Sequence, residues 1–140
     1  MIIAIDFDGT CVSHEFPKVG KDIGAVPVLK ELVKNGHQFI LFTMRSDIVN
    51  PSSKDAAVHL KGGNYLTDAV NWFKKHKIPL YGINKNPEQK KWTKSPKAYA
   101  QLYIDDAALS CPLIRDIRIS ERPYANWWEI KNRLQFMGIL

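Results

Sequence analysis

Asp6 and Asp8 flank a single phenylalanine at the end of an apolar run, MIIAIDFDGT, and a second acidic pair, Asp105 and Asp106, ends another, AQLYIDD. Alternation along an extended chain places Asp6 and Asp8 on one side. Carboxylates held together repel, so solvent, a proton, a lysine or a metal has to compensate them. A hard divalent cation suits oxygen ligands, and Mg2+ commonly takes one or two carboxylates together with substrate phosphate and water. Positive charge is also at hand: KNPEQKKWTKSPK, Lys85 to Lys97, carries five lysines against one glutamate just ahead of the second acidic pair. Metal, lysine and carboxylate together suit phosphoryl transfer, which rests on positioning and electrostatic stabilisation, and an aspartate can itself attack phosphorus.

These residues can act together only if the chain brings them together. Met1 to Ile5 reads as a buried strand with Asp6 at its carboxyl end, and Cys11 to Gly24 as an irregular connection. A helix follows in AVPVLKELVKNG, where Val26, Leu29, Leu32 and Val33 make a stripe, Pro27 suits the first turn and Gly36 the stop. Gln38 to Thr43 is a second strand. The polar stretch from Met44 to Gly63 holds a possible short helix around Ala56 to Leu60. NYLTDAVNWFKKHK is a helix that Asn64 can cap, with Leu66, Ala69, Val70 and Phe73 on one face. IPLYGIN is a third strand ending at Asn84, AQLYIDD a fourth, IRDIRI a further candidate, and YANWWEIKNRLQF a closing amphipathic helix.

This alternation predicts one α/β domain over residues 1–140: a three-layer, Rossmann-like parallel sheet with helices on both faces. In such sheets ligands bind beyond the carboxyl ends of the strands. That rule gathers Asp6, Asp8, Thr43, Asp105 and Asp106 at one sheet edge.

DFDGT, then ILFT, then a lysine ahead of YIDD, in that order over roughly Met1 to Leu109, resembles the haloacid dehalogenase-like superfamily of Mg2+-dependent phosphohydrolases. The resemblance implies Asp6 as the nucleophile that becomes phosphorylated and Asp8 as the general acid and base. It implies Thr43 as a phosphate-binding hydroxyl and Lys97 as the active-site lysine, with Lys94 as competitor. The metal would take Asp6, the Asp8 backbone carbonyl and Asp105, with Asp106 as a second ligand or orienting group. Gly9 and Thr10 would open the turn so that backbone N–H groups face phosphate. Only about thirty residues separate Thr10 from Thr43, which leaves no room there for a large cap domain and resembles the capless subclass.

Around this centre, Arg45 could reach substrate or pair with Asp47 or another acid, and Asn84 could touch ligand or form an Asx-turn. His14, His37, His59 and His76 show no metal-ligand spacing. Trp72 and the Trp127–Trp128 pair read as core or interface before base-stacking groups. Cys11 and Cys111 read as small, mostly buried residues, with no CxxC pattern. The formal charge of +6 favours anionic partners, and the short apolar start is neither signal peptide nor membrane span, so a cytoplasmic address is expected. The expected activity is a Mg2+-dependent phosphatase acting on a phosphorylated small molecule or a nucleic-acid end. The alternatives are a polynucleotide-end phosphatase and a non-catalytic or partner-dependent binding or regulatory domain.

Overall fold

The computed structural model describes residues 1–48 and 62–140. The possible helix at Ala56 to Leu60 lies outside the described residues. Four strands, β1 (Ile2–Ile5), β2 (Gln38–Leu41), β5 (Leu80–Ile83) and β6 (Leu102–Ile104), form a fully parallel sheet in the order β5-β2-β1-β6. Helix α1 (Ala25–Lys34) links β1 to β2, and α2 (Tyr65–Lys75) precedes β5. Two short antiparallel ladders complete the β-structure, β3 (Asp47–Ile48) with β4 (Gly63–Asn64) and β7 (Leu113–Ile114) with β8 (Tyr124–Ala125). Helix α3 (Trp127–Phe136) ends the chain. None of the described helices is long and apolar enough to cross a membrane.

The helices form where apolar spacing and end signals agree. In α1 the buried stripe is Ala25, Val28, Leu29 and Leu32, and Gly36 (φ 82°) ends it, its N–H bonding the Val33 carbonyl while His37 bonds Leu32. Asn64 does stand at the start of α2, but its side chain makes no capping bond; it sits instead in β4, opposite Asp47. In α3 the cap is real, since Asn126 accepts from Glu129 N. IRDIRI yields only the first residue of its strand, because Asp116 binds Arg118 through both backbone and guanidinium and turns the chain.

The larger departure concerns the layers. Buried residues of all three helices join one core with Ile3, Ile5, Phe39, Leu41 and Ile104, which share one face of the sheet. Among the described residues, helices therefore cover that face alone. The chain from β5 to β6 must pass over β2 and β1, and it does so as a loop with a single 3-10 turn, Gln89–Lys91. Pro87 and Pro96 and the lack of an apolar helical stripe prevent a longer helix there. The loop lies close on the strands. A β-carbon at Gly82 would stand 2.2 Å from the Lys85 carbonyl oxygen, and Tyr103 donates its hydroxyl to Ala98 O at 2.6 Å.

The strand order reverses between β1 and β6, so the ends carrying Asp6 and Asp105 flank the topological switch point. Helix α3 braces the turn after β1 from the core side. Buried Trp127 donates its indole N–H to Thr10 O at 2.7 Å, and Ala125 N donates to Gly9 O at 2.8 Å.

Replacing Trp127 with Phe keeps an aromatic in the core but strands the Thr10 carbonyl. The expected loss of unfolding free energy in urea titration is about 1–3 kcal/mol. A change below about 0.5 kcal/mol, the usual scatter of neutral substitutions, would deny the brace.

Candidate active site

Strand β1 continues its ladder for one residue, Asp6 N donating to Ile104 O at 3.0 Å, and then turns sharply. The Phe7 carbonyl accepts from Thr10, Cys11 and Val12 N–H groups, while Gly9 N donates to Val12 O at 2.7 Å. Gly9 is required twice over: its φ is 86°, and a β-carbon there would stand 2.0 Å from His14 Nε2 and 2.7 Å from Asp106 Oδ2. The N–H groups of Gly9 and Thr10 are thus spent inside the turn. This differs from the phosphate-facing arrangement the sequence suggested, because the tight fold of the turn takes both donors first.

Thr10 contributes through its buried side chain instead. Its hydroxyl lies 3.0 Å from Asp6 Oδ2 and 3.3 Å from Asp106 Oδ1, and it accepts from Asp106 N at 3.0 Å. One oxygen from each of Asp6, Asp105 and Asp106 falls within 4.8 Å of the others. Asp105 also accepts from Ala107 N at 2.8 Å, an Asx-turn that fixes its carboxylate. Burial is the main reason that the Asp6 carboxyl is pushed up from 3.8 to about 7; the charges of Asp105 and Asp106 add to it, against bonds from Phe7 N–H and Thr10. Three convergent carboxylates, one of them short of a counter-charge, form an all-oxygen donor set that fits Mg2+.

Asp8 faces away from this cluster. Arg45, almost fully buried, grips it in a bidentate pair, Nε to Oδ2 and Nη2 to Oδ1, both 2.7 Å. The same guanidinium donates to the carbonyls of Pro17, Lys18 and Tyr65 and lies 5.0 and 5.1 Å from the ring centres of Phe7 and Phe16. Asp47 is not its partner; that carboxylate accepts from Thr67 N and Oγ1. Asn84, held at φ 53°, accepts from Thr43 N at 2.8 Å, so it positions the turn after β2. Thr43 Oγ1 accepts from Arg45 N at 3.2 Å, which leaves its own proton free to donate outward.

The lysines stand apart from the acids. Lys97 Nζ lies 5.3 Å from the Tyr103 ring centre, Lys94 lines a separate hollow with Lys85 and Lys90, and neither forms an ion pair with a described carboxylate. His14, to which the sequence assigned no role, has Nε2 2.9 Å from Asp106 Oδ2. Nothing in its spacing could reveal this, because an irregular loop delivers it. Cys11 is fully buried, donates its thiol to Asp6 O, and is pushed well above the usual thiol range by burial and then by Asp6 and Asp8. It is an inert thiol, and both cysteines are free.

No family model matches the chain, and no curated protein matches it. It is similar to a solved structure of a conserved protein coded by a locus from Bacteroides thetaiotaomicron. The two are 30% identical over 99% of this chain and 91% of that one, with a TM-score of 0.67.

Two stability outcomes follow from the opposite surroundings of the two aspartates. Because Asp6 titrates near 7 in the folded protein and near 3.8 unfolded, the metal-free protein loses stability as pH rises between those values. Asp6→Asn removes that loss. In EDTA the mutant and wild type should be alike near pH 4 and diverge to on the order of 4 kcal/mol in the mutant's favour above pH 7. A constant difference across that range would contradict the assignment. Asp8→Ala, by contrast, leaves Arg45 buried without its counter-ion and should cost about 3–5 kcal/mol in urea titration. An Asp8→Ala protein as stable as wild type would show that the pair is not a buried ionic clamp.

Proposed function

The chain belongs to the same family as that conserved Bacteroides thetaiotaomicron protein, and for its acidic sheet edge we propose a Mg2+-dependent phosphoric monoester hydrolase of the haloacid dehalogenase type. The observation that carries this reading is the convergence of Asp6, Asp105 and Asp106 at the switch point between β1 and β6. Asp6, Asp105 and Asp106 would hold Mg2+, with the Asp8 backbone carbonyl in the place the resemblance gives it, and the ion would supply charge that stabilises the phosphoryl oxygens and keeps Asp6 ionised.

Asp6 is then the nucleophile. One carboxylate oxygen bonds to phosphorus while the ester P–O bond breaks and the departing alkoxide takes a proton from Asp8. Water next attacks the phosphorus of the aspartyl-phosphate and gives its proton to Asp8; inorganic phosphate leaves and Asp6 is regenerated. The Thr43 hydroxyl proton is available to a phosphoryl oxygen. Lys97 is the better placed lysine, since its ammonium rests on the ring of Tyr103 in β6, the strand whose carboxyl end leads into Asp105. Asp8 carries out both proton transfers while paired with Arg45, whose Nε stands 2.7 Å from its Oδ2.

That clamp also favours a second reading, a domain that binds metal and phosphate with no turnover.

Phosphate release from an aryl phosphate separates the two. Wild type should turn over only with Mg2+, Asp6→Asn should be inactive and lose Mg2+ binding in calorimetry, and Asp8→Asn should keep Mg2+ but lose about 100- to 10,000-fold in rate. Mg2+ binding with no release from any aryl ester would favour the second reading. Neither binding nor release would remove the active site altogether.

A further inference from the structure

The loop that replaces a helix over the second sheet face carries an exposed aromatic cluster interleaved with lysines. Trp92 is 63% exposed, Tyr99 42% and Tyr103 37%. Trp92 and Tyr99 meet edge to face, centres 5.3 Å apart at 89°, and with Lys97 and Tyr103 they line a groove of about 290 Å3. Lys91 pairs with Glu88, but Lys85, Lys90, Lys94 and Lys97 have no acidic partner among the described residues. Of these four cations Lys97 lines the ring groove itself, and Lys85, Lys90 and Lys94 line an adjoining hollow that shares Thr93 and Ser95 with it.

A merely solvated loop does not need internal scaffolding, and this one has it. Gln89, nearly buried, donates to Ser95 O and Lys97 O at 2.9 and 3.0 Å and accepts from Tyr99 N at 2.8 Å. Asn86, also buried, donates to Tyr99 O and accepts from Glu88 N. Two buried amides thus hold the backbone on which Trp92, Lys94, Lys97 and Tyr99 are displayed. Such preorganisation lowers the cost of binding.

We propose that this face is a binding site for single-stranded nucleic acid, the rings stacking on bases while Lys85, Lys90, Lys94 and Lys97 neutralise the backbone. Stacking platforms bordered by lysines are how such strands are held without base-specific readout. An acidic peptide could use the lysines but has no flat partners for the exposed ring faces. The site adjoins the acidic edge: Tyr103 lies in β6 (Leu102–Ile104), and Asp105 and Asp106 follow directly on the carboxyl end of that strand. A strand lying on the rings could therefore present a terminal phosphate to Asp6. That last role rests on the phosphatase reading; binding does not.

The test is fluorescence anisotropy of fluorescein-labelled oligothymidylate (dT)12 in EDTA, so that no chemistry is needed, from 50 to 200 mM NaCl. Wild type should bind, with log affinity falling against log salt at a slope of about −2 to −3 if three or four phosphates are neutralised. Trp92→Ala should weaken binding about fivefold to a hundredfold with that slope unchanged, and Trp92→Phe should restore most of it. No binding at 50 mM salt, equal binding by Trp92→Ala, or displacement by poly-glutamate as readily as by unlabelled (dT)12 would each overturn the proposal. Binding of (dT)12 without aryl phosphate turnover would leave the platform standing and remove the phosphatase reading; the reverse result would do the opposite.

Discussion

Burial and two neighbouring acids all act against a negative charge on Asp6, and most of the structure around it answers that constraint. At 4.8 Å and an effective dielectric near 20, each pair of carboxylates repels by roughly 3 kcal/mol. The Thr10 hydroxyl and the Phe7 N–H offset part of this on Asp6, as the Ala107 N–H does on Asp105. No arginine or lysine of the described residues pairs with Asp6, Asp105 or Asp106. His14 Nε2 stands 2.9 Å from Asp106 Oδ2. A protein that fills such a place with three acids, while keeping twenty lysines and arginines elsewhere, leaves room for a charge that comes from outside.

Two residues further on, Asp8 meets the opposite environment. Arg45 reaches it from the segment after β2 and at the same time ties down Pro17, Lys18 and Tyr65 through their carbonyls. One guanidinium thus joins the irregular connection after β1, the end of β2 and the start of α2 around a single carboxylate. Trp127 performs the matching task on the core side by holding Thr10. The acidic turn is clamped between a cation and an indole, and two aspartates separated by one phenylalanine meet different neighbours, carboxylates around Asp6 and a guanidinium on Asp8.

How much of this could be read from the sequence depends on the range of each interaction. The parallel strands and α1 follow from local periodicity, with Pro27 and Gly36 at the expected ends, and the sheet-edge rule alone sufficed to bring Asp6 and Asp105 together. The role of α3 was not legible, because the Trp127 to Thr10 bond joins residues 117 apart. Arg45 could be suspected but not paired, since its partner is chosen by how the turn after β1 twists rather than by spacing. The second face departs from expectation for a clearer reason: a β–β crossover is ordinarily a helix, yet Pro87, Pro96 and the polar run between them leave a loop there instead.

That missing layer bears on specificity. A helix over β1 and β2 would have presented a regular face and buried its apolar side. The loop buries Gln89 and Asn86 instead, spending buried amides on shape rather than on hydrophobic contact. With only α1 and an irregular segment between β1 and β2, nothing in that interval forms a lid over the acids. On the β6 side the surface beside the acids is Tyr103, Lys97 and the rings beyond them.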